Sequence, residues 1–103
     1  MNKLVCICDT DSTYARRLLE YISYKSDGKL EVRIYSSLQI IRETTGDRNI
    51  AVLIIDEQCI DDTGCDDIAD NVVVLNRNRD GEGVYKYQSA DAIYNVATVK
   101  RGH

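Results

Sequence analysis

The chain has 103 residues, 44% of them apolar and 29% charged, with a formal net charge of −4. That profile fits one ordinary globular domain with a single modest core. The acidic balance, with no basic clustering beyond Arg16-Arg17 and Arg77/Arg79, argues against nucleic acid as a direct partner, because phosphate binding needs a basic patch. No stretch approaches the ~20 apolar residues that span a bilayer, and the N-terminus lacks the apolar core of a signal peptide. A cytoplasmic chain without a membrane span is expected.

Strand and helix signals alternate along the chain. Leu4-Val5-Cys6-Ile7-Cys8 reads as a first strand and ends on Asp9, with Asp11 two residues on. From Asp11 or Ser12 to about Tyr24 the spacing of Tyr14, Leu18, Leu19 and Ile22 predicts a helix with a capping residue at its start. Ser26-Asp27-Gly28 ends it. Residues 30–35 alternate apolar and polar, the pattern of a strand with one wet face or of an edge strand. Ser36 and Gln39 have capping-box spacing and open a second helix to about Thr44, closed by Gly46.

Ile50-Ala51-Val52-Leu53-Ile54-Ile55 is a run of six apolar residues that ends on Asp56. Such a run, rich in β-branched residues, reads as a strand buried on both faces of a parallel sheet. The following segment is acidic at residues 61–67 and contains Gly64; it reads as a solvated loop with at most a short helix. Val72-Val73-Val74-Leu75 reads as another fully buried strand. Val84-Tyr85-Lys86-Tyr87 alternates again, and Ser89 caps a last helix with Ala90, Ile93, Tyr94 and Ala97 on one side. There are no repeats, no low-complexity segments and no proline.

Dry strands at positions one, three and four and alternating strands at two and five match a five-stranded doubly wound sheet in order 2-1-3-4-5. Only residues 76–83 join strands four and five, whereas a parallel crossover normally takes about 10–12 residues. Either the fourth helix has shrunk to a connector, or Asp80-Gly81 makes a hairpin and strand five runs antiparallel. The parallel arrangement is preferred, because it alone brings Lys86 to the carboxyl edge. Ligands of open parallel sheets bind in the crevice outside the carboxyl ends of the strands. Asp9 and Asp56 would both be delivered there.

The four cysteines, Cys6, Cys8, Cys59 and Cys65, lack zinc-finger spacing, and His103 is the terminal residue. Cys6 and Cys8 share one strand face and read as small buried hydrophobes. No Gly-rich phosphate loop follows the first strand, and Gly81-Glu82-Gly83 lacks the spacing and ending of a P-loop.

Asp at the end of strand one, Asp at the end of strand three with Gly64 eight residues later, and Lys86 near the end of strand five resemble response-regulator receiver domains over nearly the whole chain. The resemblance implies a flavodoxin-like (CheY-like) three-layer sandwich with its fourth helix reduced or missing. It also implies a phosphoacceptor-like pocket of Asp56, Lys86 and Asn76, with Asp9, Asp11 and Asp56 as candidate Mg²⁺ ligands. The logic is that a hard dication takes carboxylate and phosphate oxygens, while Mg²⁺ and Lys neutralise charge on a transferring phosphoryl group. The chain departs from receivers where Asp9 has no adjacent acid, and where Asn76, Ile60 and Tyr87 replace the usual Ser/Thr and two prolines.

With Lys86-Tyr87-Gln88 in place of Lys-Pro and Asp9-Thr10-Asp11 as Asp-x-Asp, the chain is similar to the atypical receivers at the N-terminus of TadZ/CpaE-like proteins. That family places the module before a ParA/MinD-type ATPase in Tad pilus assembly. The implied reading is a non-catalytic interaction and localisation module at residues 1–100, with residues 101–103 beginning a linker. Homodimerisation through Tyr85, Tyr87, Ile93 and Tyr94 is expected, since tyrosine is enriched at binding surfaces. The alternative is a phosphorylatable receiver with Asp56 as acceptor.

Overall fold

A computed structural model describes residues 3–46, 48–62, 64–65, 67–78 and 83–98. Strand β1 (Lys3–Cys8) leads to helix α1 (Ser12–Ser26), then β2 (Leu30–Tyr35), α2 (Leu38–Thr45) and β3 (Ile50–Asp56). A one-turn 3-10 helix (Glu57–Cys59) follows, then β4 (Ala69–Asn76), β5 (Val84–Tyr85) and α3 (Ala90–Thr98). The five strands form one sheet in order β2-β1-β3-β4-β5, and every pairing is parallel. This is the flavodoxin-like layout expected from the alternation of dry and wet strands.

Side-chain alternation along each strand divides the core into two layers. Val5, Ile7, Ile54, Val73 and Leu75 meet Ala15, Leu18 and Ile22 of α1 and Ile93 and Ala97 of α3. Leu4, Cys6, Cys8, Leu53 and Ile55 turn the other way, onto Leu38 and Ile41 of α2. Each large aliphatic side chain buried in this way stabilises the fold by about 1.5–3 kcal/mol relative to exposure.

Local signals set the helix ends. Asp11 caps α1 by accepting the Tyr14 N–H at 3.1 Å, and Asp27 closes it in the left-handed conformation at φ 55°. The cap of α2 is Ser37, whose hydroxyl accepts the Ile40 N–H at 3.2 Å. The anticipated Ser36–Gln39 box is therefore displaced by one residue, and Gln39 instead donates to Glu43 at 3.1 Å. Ser89 does cap α3, accepting the Ala92 N–H at 3.2 Å.

Two expectations for the sheet need correction. Val72 and Val74 are only partly buried against the α2-side core. Among the described residues, the chain after β3 supplies a single 3-10 turn where a doubly wound fold would lay a full helix, so β4 is less covered there. Strand β5 has two residues rather than four, and Lys86 and Tyr87 lie beyond its end. Its parallel pairing, Leu75 with Val84 and Asn76 with Tyr85, excludes the antiparallel hairpin. Asp80-Gly81, Arg79, Asp66 and the expected linker at residues 101–103, including His103, lie outside the described residues.

Candidate functional site at the carboxyl edge

The strand register builds the site. Cys8 pairs with Ile55, so Asp9 and Asp56, the next residues on, end their strands side by side. Asn76 pairs with Tyr85, and the Lys86 N–H donates to the Asn76 carbonyl at 2.8 Å. Lys86 thus begins where the sheet stops. It shares strand parity with Val84, whose side chain lies on the α1 and α3 face, and turns inward above the sheet edge.

Lys86 is 0% exposed, and Asp9 and Asp56 are 2% and 1% exposed. Lys86 Nζ donates to Asp56 Oδ2 at 2.6 Å. It lies 2.8 Å from Asp9 Oδ2 as an ion pair without hydrogen-bond alignment. Arg77, one residue past β4, places its guanidinium 3.3 Å from Asp56 Oδ2. The two carboxylates therefore face two cations. The other carboxylate oxygens hold backbone: Asp9 Oδ1 accepts Asp11 N–H at 2.9 Å, and Asp56 Oδ1 accepts Gln58 N–H at 2.8 Å.

Removing these ions from water is costly, and only close pairing and filled hydrogen-bond positions offset it. Burial opposes ionisation of Asp56. The Lys86 hydrogen bond, the Gln58 N–H and the charges of Lys86 and Arg77 outweigh burial and hold its carboxyl below the ordinary value. For Lys86, burial would lower the pKa, but the hydrogen bond to Asp56 and the charges of Asp9 and Asp56 raise it. Asp56 and Lys86 are both held in their charged forms.

An aromatic wall closes the site. The Tyr14 ring lies 4.7 Å from Lys86 Nζ and the Tyr87 ring 5.8 Å, distances at which a ring face attracts a cation. Tyr14 and Tyr87 meet edge to face at 6.2 Å, and Tyr87 meets Tyr85 at 5.9 Å. The Tyr14 hydroxyl, kept protonated by burial, donates to the Lys86 carbonyl at 2.6 Å. Tyr14 was legible only as a residue of the apolar helix face, and Arg77 only as one scattered basic residue. Neither carries a motif that would have named it.

The remaining anticipated residues stand elsewhere. Asp11 is engaged as the α1 cap. Asn76 adjoins the cluster through its carbonyl, while its side-chain oxygen accepts the Asn78 N–H at 2.7 Å. Gly64 forms a turn with φ 75°, and its carbonyl accepts Arg42 of α2 at 2.8 Å. Lys86, which could have been a solvent-facing edge guard, is fully enclosed.

The anticipated Mg²⁺ ligands do not fit the ion as they stand. A hard dication needs about six oxygens in octahedral array. The only carboxylate oxygens of Asp9 and Asp56 that do not hold backbone both point at Lys86 Nζ. Among the described residues no three His, Cys, Asp or Glu side chains are grouped to hold a metal. All four cysteines are reduced thiols.

The fold and site define a doubly wound, parallel α/β protein with an Asp–Lys–Asp cluster locked at the carboxyl edge of its sheet. No family model and no curated protein matches this chain. Among the described residues no helix is long and apolar enough to cross a membrane.

Proposed function

We propose that this chain is a non-catalytic, receiver-like interaction and localisation module of the cytoplasm, of the kind that precedes a ParA/MinD-type ATPase in Tad pilus assembly. One observation carries the reading: Lys86 Nζ occupies the space between Asp9 and Asp56, at 2.8 and 2.6 Å. The cluster is neutralised from within, and a phosphoryl group or dication would have to displace a buried ammonium. Its work is then structural, joining the ends of β1, β3 and β5. What remains for function is the surface that this joint supports.

Tyr87 is the side chain best disposed to meet a partner. It is 56% exposed and braced by Tyr14 and Tyr85. Tyr85 and Tyr94 are half-buried, and Tyr94 stacks edge to face on Tyr21 at 6.4 Å. Ile93, anticipated in the same interface, is 1% exposed and belongs to the core of the chain itself. We propose a second copy as the partner, meeting this edge through Tyr85, Tyr87 and Tyr94. Light scattering of the wild type beside Tyr87→Glu reads this directly. A wild type that stays monomeric at high concentration overturns it.

The competing reading, a phosphorylatable receiver with Asp56 as acceptor, draws support from the same juxtaposition of Asp56 with Lys86 at the carboxyl edge. Titrating Mg²⁺ and then beryllofluoride into ¹⁵N-labelled protein separates the two. Amide shifts that stay flat at millimolar Mg²⁺ are expected. Localised shifts at Asp9, Asp56 and Lys86 would replace the non-catalytic reading with the phosphorelay one.

A further inference from the structure

Strand β5 lies at one edge of the sheet and β2 at the other. β2 pairs with β1 alone, which leaves one side of its backbone open. A single bond fixes which groups are open. The Asp9 N–H donates to the Tyr35 carbonyl at 3.0 Å, so Tyr35 turns its backbone toward β1. Backbone direction alternates along a strand. Glu31 and Arg33 therefore also turn toward β1, and Leu30, Val32 and Ile34 present their N–H and C=O groups to the outside. The side chains of those three are only half-buried, on the α1 face. On the other face Glu31 accepts Arg33 Nε at 2.6 Å and Arg48 at 2.8 and 3.0 Å.

We infer that the β2 edge is a self-complementary surface that pairs antiparallel with β2 of a second copy, about a two-fold axis at Val32. This inference concerns the edge opposite Tyr85 and Tyr87 and does not depend on the receiver-like reading. With the axis at Val32, the outward groups meet in register. Val32 faces the partner's Val32, and Leu30 faces the partner's Ile34, each pair exchanging both N–H···O=C bonds. The same pairs cover the half-buried apolar side chains on the α1 face. Main-chain bonds of this kind supply the affinity when a strand is added to a sheet edge.

Charge selects the register. Residues directly opposite in an antiparallel pair lie on one face of the sheet. About Val32, Glu31 therefore faces the partner's Arg33 and Arg33 the partner's Glu31. Both are non-hydrogen-bonded pairs, in which the Cα atoms stand only about 4.5 Å apart. Moving the axis to Glu31 would set two carboxylates face to face, and moving it to Arg33 would oppose two guanidiniums. Like charges directly opposite are destabilising. Charged side chains on an edge strand usually deter pairing; here they reject the neighbouring registers and complement each other in this one. With the tyrosine edge also engaged, copies would extend in a row, so blocking that edge should stop assembly at a pair.

The experiment uses Tyr87→Glu protein, in which the opposite edge is blocked, and follows its mass by analytical ultracentrifugation over a concentration series. That protein should reach the mass of two chains as it is concentrated. Amide hydrogen exchange at Leu30, Val32 and Ile34 should then slow, while Glu31, Arg33 and Tyr35, already bonded to β1, should not change. In the same background Val32→Pro removes an outward donor and spares the bonds to β1, so it should stay monomeric. Glu31→Arg and Arg33→Glu should each be monomeric alone. Mixing them should restore the mass of two chains, because opposite charges then meet at every facing pair. Circular dichroism verifies that each variant folds; if a charge variant does not, Val32→Pro and the exchange rates still decide. A Tyr87→Glu protein that stays monomeric, outward amides whose exchange ignores concentration, a Val32→Pro variant that dimerises, or folded charge variants that stay monomeric when mixed would each overturn the assignment.

Discussion

Replacing Lys86 with Met tests the central joint while preserving much of its volume. The ammonium is fully enclosed and lies within 2.8 Å of two buried carboxylates. Its removal leaves those charges uncompensated apart from Arg77, which is 35% exposed and so weakened by solvent. Breaking a buried ion pair from one side typically costs about 3–5 kcal/mol. A domain of this size has a total stability of about 5–15 kcal/mol, so about a fifth or more would be lost. At about 4 °C per kcal/mol, Tm should fall by roughly 12 °C or more.

The pH dependence distinguishes charge from packing. Asp56 has a folded pKa below its unfolded value of about 3.9. Its stabilising contribution is therefore present above that unfolded value and is lost as pH falls through the folded one. In Lys86→Met the sign inverts. A buried carboxylate without its ammonium binds protons more tightly than in the unfolded chain, so its penalty is full near pH 7 and shrinks on acidification. Urea unfolding of both proteins from about pH 7 to about pH 4 should show the gap narrowing. A loss under about 1 kcal/mol near neutrality, or a gap that is constant across this range, would refute the reasoning.

Gly83→Ala should destabilise by at least about 1–3 kcal/mol by urea midpoint, because Gly83 has φ +90° and its added Cβ would stand 2.6 Å from the Val74 carbonyl oxygen; a neutral outcome would contradict the close passage of chain against β4. Ser37→Ala should cost about 1 kcal/mol, and Ser36→Ala close to nothing; the reverse order would restore the cap to Ser36. Glu31, on β2, is held down to about 2 by hydrogen bonds from Arg48 and Arg33. Its contribution to stability is thus present above about 4.3 and fades as pH falls through the folded value. A carboxyl ¹³C titration with a midpoint above about 4 would show that these exposed pairs do not form.

The alternation of dry and wet strands was legible because burial leaves a direct trace in composition. A strand covered on both faces must be apolar throughout, as residues 50–55 are, and one with a wet face alternates, as residues 30–35 do. Strand order and the delivery of Asp9 and Asp56 to one edge follow from that trace. The α2 cap was less legible, since Ser36 and Ser37 are chemically identical and only the backbone decides which is placed at the helix end. The short loop after β3 was anticipated, but the partial exposure it leaves at Val72 and Val74 was not, because a valine reads the same under a helix or a turn.

By itself, then, the sequence determined the parallel α/β architecture and which acids reach its carboxyl edge, because period and burial are local and cumulative along the chain. Tertiary structure alone decided what that edge became. Lys86 was expected at that edge, but its complete burial arises only because β5 ends at Tyr85 and Tyr14, 72 positions away, closes over it. Arg77 reaches Asp56, 21 positions back along the chain. Each of these is a contact between distant segments, and no pattern along one segment encodes which remote side chain will balance a buried charge.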